Sequence, residues 1–325
     1  MTKLIELKLS KIKYTGDSIG DDIRIEIDCL NHSLDVNKTI KNESAVTVGL
    51  PVGQFFTDEP SLALPLAIKV IERDVAWNDV GTAEERFIID VKKSGSQLLT
   101  SIIEVQETRP YKTKKKAIFE LTFEASVLDA VMYVSLEKGI GGWTKALSES
   151  TAEGEISLPA YLKVRLEKEK NNRQYFTILE GLRRGEKASV MMGSDGSSFL
   201  QTENPHIAPM HFTYSLSTRM LRLKKQRYTT IDYKNDPDPW KKQLYTIAIP
   251  DSPHKGGEAY LDRAKLAKVW FKVSHPDNER YLHTGERTAG CITLTEVERW
   301  DELCKVLLKA RRGDGESIGV VEIVE

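Results

Sequence analysis

Hydrophobic and polar residues alternate with a period of two through much of the first 125 residues. Segment 23–27 carries isoleucine at every second position between charged residues, and segment 119–123 does the same with Phe and Leu. Four further apolar segments, each bounded by Gly, Pro, Asn or Asp, are Ala45–Leu50, Leu64–Glu72, Phe87–Val91 and Leu98–Val105. This alternation is typical of half-buried strands. Short strands separated by polar turns predict an antiparallel β-sandwich over residues 1–125.

The pattern changes over residues 126–155, which are predicted to link two domains. An apolar stretch at 130–136 is followed by three glycines and then by small polar residues at 148–154. Strand-like segments then resume at Tyr161–Leu166, Tyr175–Leu179, His211–Leu216, Met220–Leu223, Tyr245–Ile249 and Val269–Val273. We therefore expect a second, mostly-β domain over residues 156–325.

One covering helix is predicted near residues 295–312. Apolar residues recur there at helical spacing, at Val297, Trp300, Cys304, Leu307 and Leu308. Thr295 and Glu298 have the spacing of a capping box, and Gly313 is a stop signal. A last strand, Ile318–Val324, is expected to close the domain. The predicted fold class is thus mainly β.

Composition and charge narrow the classes of function. The 325 residues suggest two domains, and 47 basic against 48 acidic residues leave a net charge of −1. Such a balance offers no general attraction to nucleic acid, so no nucleic-acid partner is expected. The three cysteines do not form a disulfide framework. Cys29 and Cys304 are interpreted as buried, reduced thiols.

The first nine residues lack the apolar segment of a secretory signal, and no apolar run is long enough to span a membrane. We therefore expect synthesis in the bacterial cytoplasm without a signal peptide. Action elsewhere would need a non-classical export route.

The segment 280–294 contains the most informative chemistry. Cys291 follows Gly290 directly, and His283 ends an apolar strand-like segment shortly before it. A thiol needs a base, because its pKa is about 8.5 and the thiolate is the nucleophile. An imidazole can take that proton and return it to a leaving amine. Gly290 permits a tight turn whose N–H groups could stabilise an oxyanion.

This segment resembles the motif of the YkuD-type L,D-transpeptidases. His283-Thr284-Gly285 stands for the family's His-Gly element, and Thr288-Ala289-Gly290-Cys291 stands for its Ser/Thr-His-Gly-Cys element. The resemblance implies an L,D-transpeptidase-like domain over 156–325, with Cys291 as nucleophile and His283 as base and then acid. It also implies oxyanion or substrate contacts at Gly285, Thr288, Ala289 and Gly290. The implied reaction is acyl transfer on peptidoglycan stem peptides.

The chain departs from that motif at three points. Ala289 replaces the family's second histidine, and Thr293 replaces an Arg or Asn. The interval from His283 to Cys291 is only eight residues, whereas His275 has an interval of 16, closer to the family's spacing. His275 lies in a turn-like sequence, so His283 is the preferred base and His275 the alternative. The histidines lack paired ligand spacing, so no metal is expected at this site. His254 lies in a Gly/Pro-rich segment that is either a substrate loop or a plain loop.

The first domain resembles the calcium-dependent lipid-binding β-sandwich of synaptotagmin. The resemblance rests on strand spacing and on two acidic loops, 17–22 and 72–79. It implies calcium ligands at Asp17, Asp22, Asp74 and Asp79, since calcium requires several carboxylate oxygens. Otherwise these residues are ordinary turn formers.

Together these resemblances suggest an antibacterial effector, or toxin, that a secretion machine delivers to a periplasm. Its expected partners are the stem peptide and, in addition, the secretion machine, an immunity protein or a membrane surface. Two alternatives remain. One is a lipid- or protein-binding adaptor whose transpeptidase-like domain is inactive, and the other is a cysteine amidase or protease.

Overall fold

The computed structural model describes residues 2–73, 78–93, 95–107, 115–150, 154–233, 236–276 and 278–325. With 57% of the described residues in strands and 6% in helices, the chain is mainly β, as predicted. It divides into two compact units, Met1–Ala130 and Val131–Glu325.

The first unit is an antiparallel sandwich of two four-stranded sheets. Its strands are β1 (Lys3–Gly16), β2 (Asp22–Cys29), β3 (His32–Thr39), β4 (Ser44–Thr57), β5 (Ser61–Glu72), β6 (Asp79–Asp90), β7 (Gly95–Gln106) and β8 (Lys116–Asp129). One sheet has the order β4-β1-β8-β7 and the other β3-β2-β5-β6. The alternating apolar residues of 23–27 and 119–123 are buried between the sheets, which confirms the predicted period.

The predicted linker over residues 126–155 is wrong. The boundary between the units lies after Ala130, and two strands of the second unit follow at once, β9 (Val131–Val134) and β10 (Trp143–Ser148). The residues of this range form strands because they pair with other segments of the second unit. Strand β9 pairs with residues 163–165, and β10 pairs with residues 155–159 and 188–189.

Strands β9 and β10 belong to a seven-stranded sheet. The other members are β11 (Glu155–Pro159), β12 (Lys163–Lys170), β13 (Arg173–Ile178), β14 (Lys187–Met191) and β15 (Leu200–Gln201). The order is β11-β10-β14-β13-β12-β9-β15, with antiparallel neighbours.

The rest of the second unit is a closed eight-stranded barrel. Its strands are β16 (Met210–Ser215), β17 (Met220–Leu223), β18 (Gln226–Ile231), β19 (Leu244–Ala248), β20 (Phe271–Val273), β21 (Arg280–Thr284), β22 (Ile292–Leu294) and β23 (Ser317–Val324). The order around the barrel is β16-β17-β18-β22-β21-β20-β19-β23. Most neighbours are antiparallel, but β16 runs parallel to β23 and β21 runs parallel to β22. The second of these parallel pairs positions the candidate site.

The predicted helix is present as α1 (Trp300–Lys309), preceded by a 3-10 turn at Val297–Arg299. The predicted capping box is wrong. The hydroxyl of Thr295 donates to the carbonyl of Thr229 (3.2 Å), and Glu298 accepts from Arg263 (2.8 Å). Both side chains make tertiary contacts in place of the helix cap. Within the described ranges, no helix is long and apolar enough to cross a membrane.

A buried ion pair joins the seven-stranded sheet to the segment after α1. The guanidinium of Arg311 donates to Oε1 of Glu180 at 2.8 Å, and both side chains are less than one-tenth exposed. Arg311 also donates to the carbonyl of Tyr161 (3.2 Å). Breaking such a pair leaves an unpaired buried charge, which costs far more than breaking a surface pair.

We predict that Glu180→Gln lowers the free energy of unfolding of the second unit by about 3–5 kcal/mol. The matched control is Glu186→Gln, because Glu186 pairs with Arg183 where both side chains are 25% exposed. Exposed pairs contribute about 0–1 kcal/mol. Urea unfolding followed by tryptophan fluorescence measures both, since four of the five tryptophans lie in the second unit. Equal losses in the two variants would contradict the prediction.

Candidate functional site

The parallel pairing of β21 and β22 brings the predicted site residues onto one face. The pairs in register are Leu282 with Ile292, His283 with Thr293, and Thr284 with Leu294. Because side chains alternate along a strand, His283 and Thr293 share the face opposite to Leu282. Cys291 precedes β22 by one residue, so the same register sets it beside Tyr281 on that face. Cys291 and His283 therefore lie diagonally across a patch completed by Tyr281 and Thr293.

His283 is held as a neutral imidazole of one tautomer. Its Nδ1–H donates to the carbonyl of Thr284 (2.8 Å), because a carbonyl can only accept. Its Nε2 therefore accepts from the hydroxyl of Thr293 (3.0 Å). The ring stacks on Trp270 with centroids 3.9 Å apart and is only 4% exposed. Burial lowers the pKa of His283 to about 4.

Cys291 is a buried thiol in its resting state. Burial raises its pKa, whereas the backbone N–H of Tyr281 and the cation of Arg280 lower it to a smaller extent. The net shift is upward, so the thiol depends on a base at the moment of reaction.

Three side chains hold the loop before Cys291 by donating hydrogen bonds to its carbonyl groups. The three donors are Arg280 Nη1 to Ala289 (2.7 Å), Trp240 Nε1 to Gly290 (3.1 Å) and Thr288 Oγ1 to Cys291 (3.0 Å). In a trans peptide, the C=O and the next N–H point in opposite directions. The N–H groups of Gly290 and Cys291 therefore point away from Arg280 and Trp240. The hydroxyl of Thr288 and the carbonyl of Ala289 take part in these hydrogen bonds. The N–H groups of Gly290 and Cys291 are the candidate oxyanion donors.

A buried ion pair lies directly against Gly290. Nη2 of Arg280 and Oδ2 of Asp236 are 2.6 Å apart, and each side chain is 6% exposed. Gly290 has φ +105°, and a Cβ there would lie 1.5 Å from Nη1 of Arg280. Both the backbone conformation and the lack of space require glycine at this position.

A cavity of about 730 Å³ opens beside His283. Trp270, His283 and Thr284 line one part of it, and Tyr260, Arg263 and Glu286 line another. Gly285 lies against the ring of Tyr260, where a Cβ would come within 3.1 Å. His283 is among the described residues that line this cavity, whereas Cys291 is not.

His275, the alternative base, lies elsewhere. Its ring stacks on Tyr245 (5.9 Å) and meets Trp240 edge-on (5.2 Å). Trp240 binds the carbonyl of Gly290, so His275 belongs to the carbonyl side of the loop. The structure brings His283, and not His275, onto the face that carries Cys291.

Comparisons with known proteins leave this site without a family. No protein-family model matches the chain, and no curated protein matches it. Among solved structures, a C2 domain of plant Extended Synaptotagmin 1 is 14% identical, with 38% of this chain and 93% of that chain covered and a TM-score of 0.22. Human GIVD cytosolic phospholipase A2, solved with methyl gamma-linolenyl fluorophosphonate and terbium chloride, is 10% identical, with 66% and 35% covered and a TM-score of 0.24. Both TM-scores are too low to support an argument about fold or function.

The calcium prediction for the first unit remains a prediction. Oδ2 of Asp17 accepts from the N–H of Lys116 (2.9 Å), and Asp22 pairs with Arg73 (2.8 Å). Asp79 is buried, and Asp74 lies outside the described residues. Among the described residues, no group of three or more His, Cys, Asp and Glu side chains is placed to hold a metal ion.

Sequence reasoning missed most of the residues that support the site. Asp236, Trp240 and Trp270 lie 21 or more positions before Cys291 and carry no local signal. Thr293 had a usable signal, because a residue two positions after a strand-entry cysteine shares its face.

We predict that Gly290→Ala destabilises the second unit by about 2–5 kcal/mol, through the left-handed backbone and the clash with Arg280. Gly313→Ala is the matched control, since Gly313 has φ +88° but open space at its Cβ. It should cost only the backbone strain, about 1–2 kcal/mol. Urea unfolding measures both variants, and similar losses would show that the ion pair yields to the added methyl group.

We also predict a pH dependence of stability from His283. Between pH 6.5 and about 4 the unfolded chain binds a proton at this residue while the folded chain does not. The contribution is therefore present above pH 6.5 and is lost as the pH falls towards 4. His206, whose pKa is also lowered by burial, adds to the loss. Urea unfolding measures the free energy of unfolding of wild type and His283→Gln at each pH across this window. We expect the free energy of wild type to fall more steeply than that of the variant as the pH decreases, and equal slopes would refute the prediction.

Proposed function

We propose that the second unit is a cysteine-dependent acyltransferase of the L,D-transpeptidase type, acting on peptidoglycan stem peptides by transfer or hydrolysis. The observation that carries this is the parallel pairing of β21 with β22, which sets Cys291 and His283 on one face with His283 oriented by the carbonyl of Thr284. A nucleophile, a base and a group that orients the base are the parts that such a reaction requires. The resemblance of segment 283–291 to the YkuD motif supplies the substrate class.

In this mechanism Cys291 loses its proton to Nε2 of His283 and attacks the carbonyl carbon of a diamino acid. The hydroxyl of Thr293 must first rotate away from Nε2, which costs one hydrogen bond. The N–H groups of Gly290 and Cys291 stabilise the oxyanion. The nitrogen of the terminal D-amino acid takes up a proton from a second group at the site and leaves, and a thioester remains on Cys291. An amine or water then attacks the thioester and gives a proton back to that second group, while His283 returns its own proton to the departing thiolate.

The substrate class implies where the protein acts. We propose that it is an antibacterial effector, made in the cytoplasm and delivered to a periplasm by a secretion machine. The first unit would then serve in loading or in contact with a membrane surface. An immunity protein in the producing cell would cover the site around Cys291.

One observation favours a second candidate, a binding module without catalysis. Both nitrogens of His283 are already hydrogen-bonded, and burial opposes ionisation of both Cys291 and His283. In that case a thiol-reactive probe at neutral pH would leave Cys291 unmodified. A cysteine amidase or protease would use the same residues on a different amide, and only product analysis separates it from the first proposal.

We predict that Cys291→Ala abolishes the release of terminal D-amino acids from purified muropeptides, with a loss of at least about 10³-fold, because no covalent intermediate can form. Mass spectrometry of the muropeptides identifies exchanged or trimmed stems. Mass spectrometry of the intact protein should show an acyl adduct in wild type alone.

The matched control is Cys304→Ala. Cys304 is fully buried in α1, so its loss should affect stability but not the identity of the products. Full activity in Cys291→Ala, or intact muropeptides with wild type, would refute the proposed function.

A further inference from the structure

A second histidine stacks on Trp270, the same indole that carries His283. The ring of His254 stacks on Trp270 (centroids 4.6 Å apart, planes at 3°) and meets the edge of Tyr281 (4.6 Å). Trp270 also carries His283, and Tyr281 is the register neighbour of Cys291. The charge of His254 contributes to lowering the pKa of His283, which agrees with this proximity. Two imidazoles therefore border the same patch as the thiol.

The two histidines differ in what holds them. Nε2 of His254 lies 3.6 Å from Oδ1 of Asp251, and the imidazole lowers the pKa of that carboxyl group. A carboxylate beside an imidazole helps to fix its orientation. The side chains are 19% and 24% exposed, so His254 is partly exposed where His283 is enclosed, although Nε2 of His254 is itself buried. Groups in such different environments suit opposite roles in proton transfer.

The backbone around His254 is fixed in place. Its N–H donates to the carbonyl of Lys268 (3.0 Å), and its carbonyl accepts from the N–H of Gly257 (3.2 Å). Gly256 packs so closely on Trp270 that a Cβ there would lie 2.7 Å from the indole. His254 immediately precedes the 3-10 helix Lys255–Tyr260, and this helix borders the cavity beside His283. A loop braced in this way can hold a reacting group in position.

We propose that His254, oriented by Asp251, is the residue that gives a proton to the leaving amine and takes one from the acceptor. This rests on the proposed function. During acylation the S–C bond forms and the C–N bond breaks. The thiol proton goes to His283, and the proton of His254 goes to the leaving nitrogen. During deacylation the attacking amine or water gives its proton to His254, and His283 returns its own to the sulfur. Both histidines regain their starting states.

The division of roles follows from geometry. His283 is hydrogen-bonded at both nitrogens and stacked on the indole, so it is fixed against Thr293 and Trp270. In the proposed sequence it keeps the thiol proton until the thioester breaks, so the leaving nitrogen needs a proton from another group. His254 is the partly exposed imidazole that borders the same patch.

The test compares two leaving groups on one acyl peptide, using the full chain. A stem-peptide amide needs a proton to leave, whereas a 4-nitrophenyl ester leaves as a phenolate without one. We expect His254→Gln to slow the amide reaction by about 10²–10⁴-fold. The single-turnover burst of nitrophenolate should stay within about threefold of wild type. Asp251→Asn should slow the amide reaction in the same selective way.

His211→Gln is the control, because the side chain of His211 is 60% exposed on β16 and pairs with Glu322. Equal losses on amide and ester in His254→Gln would show a merely structural role and overturn the proposal, as would no loss on either. If Asp251→Asn folds like wild type by circular dichroism but shows no selectivity, the assignment of the pair also fails. A wild-type burst that survives in Cys291→Ala would instead refute the proposed function itself.

Discussion

The buried ion pair between Arg280 and Asp236 is the constraint on which the candidate site depends. Arg280 begins β21, and its guanidinium reaches Asp236 and the carbonyl of Ala289. One side chain thereby ties the strand that carries His283 to the loop that carries Cys291. Gly290 has to be glycine because the guanidinium occupies the space a side chain would need. A buried charge without its partner is costly, so the loop and the strand are held together as one arrangement.

That arrangement creates a site whose resting state is uncharged at its two central groups. Burial keeps Cys291 a thiol and His283 a neutral imidazole. The hydroxyl of Thr293 occupies the nitrogen that would accept the proton. Catalysis in such a site would depend on a substrate that displaces this hydrogen bond, and on donors that stabilise charge only as it develops. In a binding module that has no such substrate, the same features would leave the thiol unreactive. One geometry is therefore compatible with both candidate functions, the acyltransferase and the binding module without catalysis.

Local sequence patterns predicted some elements of this chain correctly and others wrongly. Local apolar patterns located six of the eight described strands of the first unit, because each strand buries one face and that pattern lies in neighbouring residues; β1 and β3 were not predicted. Helical spacing located α1 for the same reason. The capping box failed because Thr295 and Glu298 find partners in Thr229 and Arg263, far away in sequence. The predicted linker failed because β9 and β10 become strands only through pairing with distant segments.

The sequence by itself determined that the chain is mainly β, that its first 125 residues form a sandwich, and that Cys291 and His283 are the residues to examine. These features are local, since a strand's alternation and a Gly-Cys step lie within a few consecutive residues. Only the tertiary structure decided that β21 and β22 pair in parallel and that Thr293 meets His283. It alone decided that Asp236 anchors the loop and that His254 joins the patch through Trp270. Those contacts join residues up to 44 positions apart in the sequence. Their free energy depends on burial and on partners that appear only when the barrel closes.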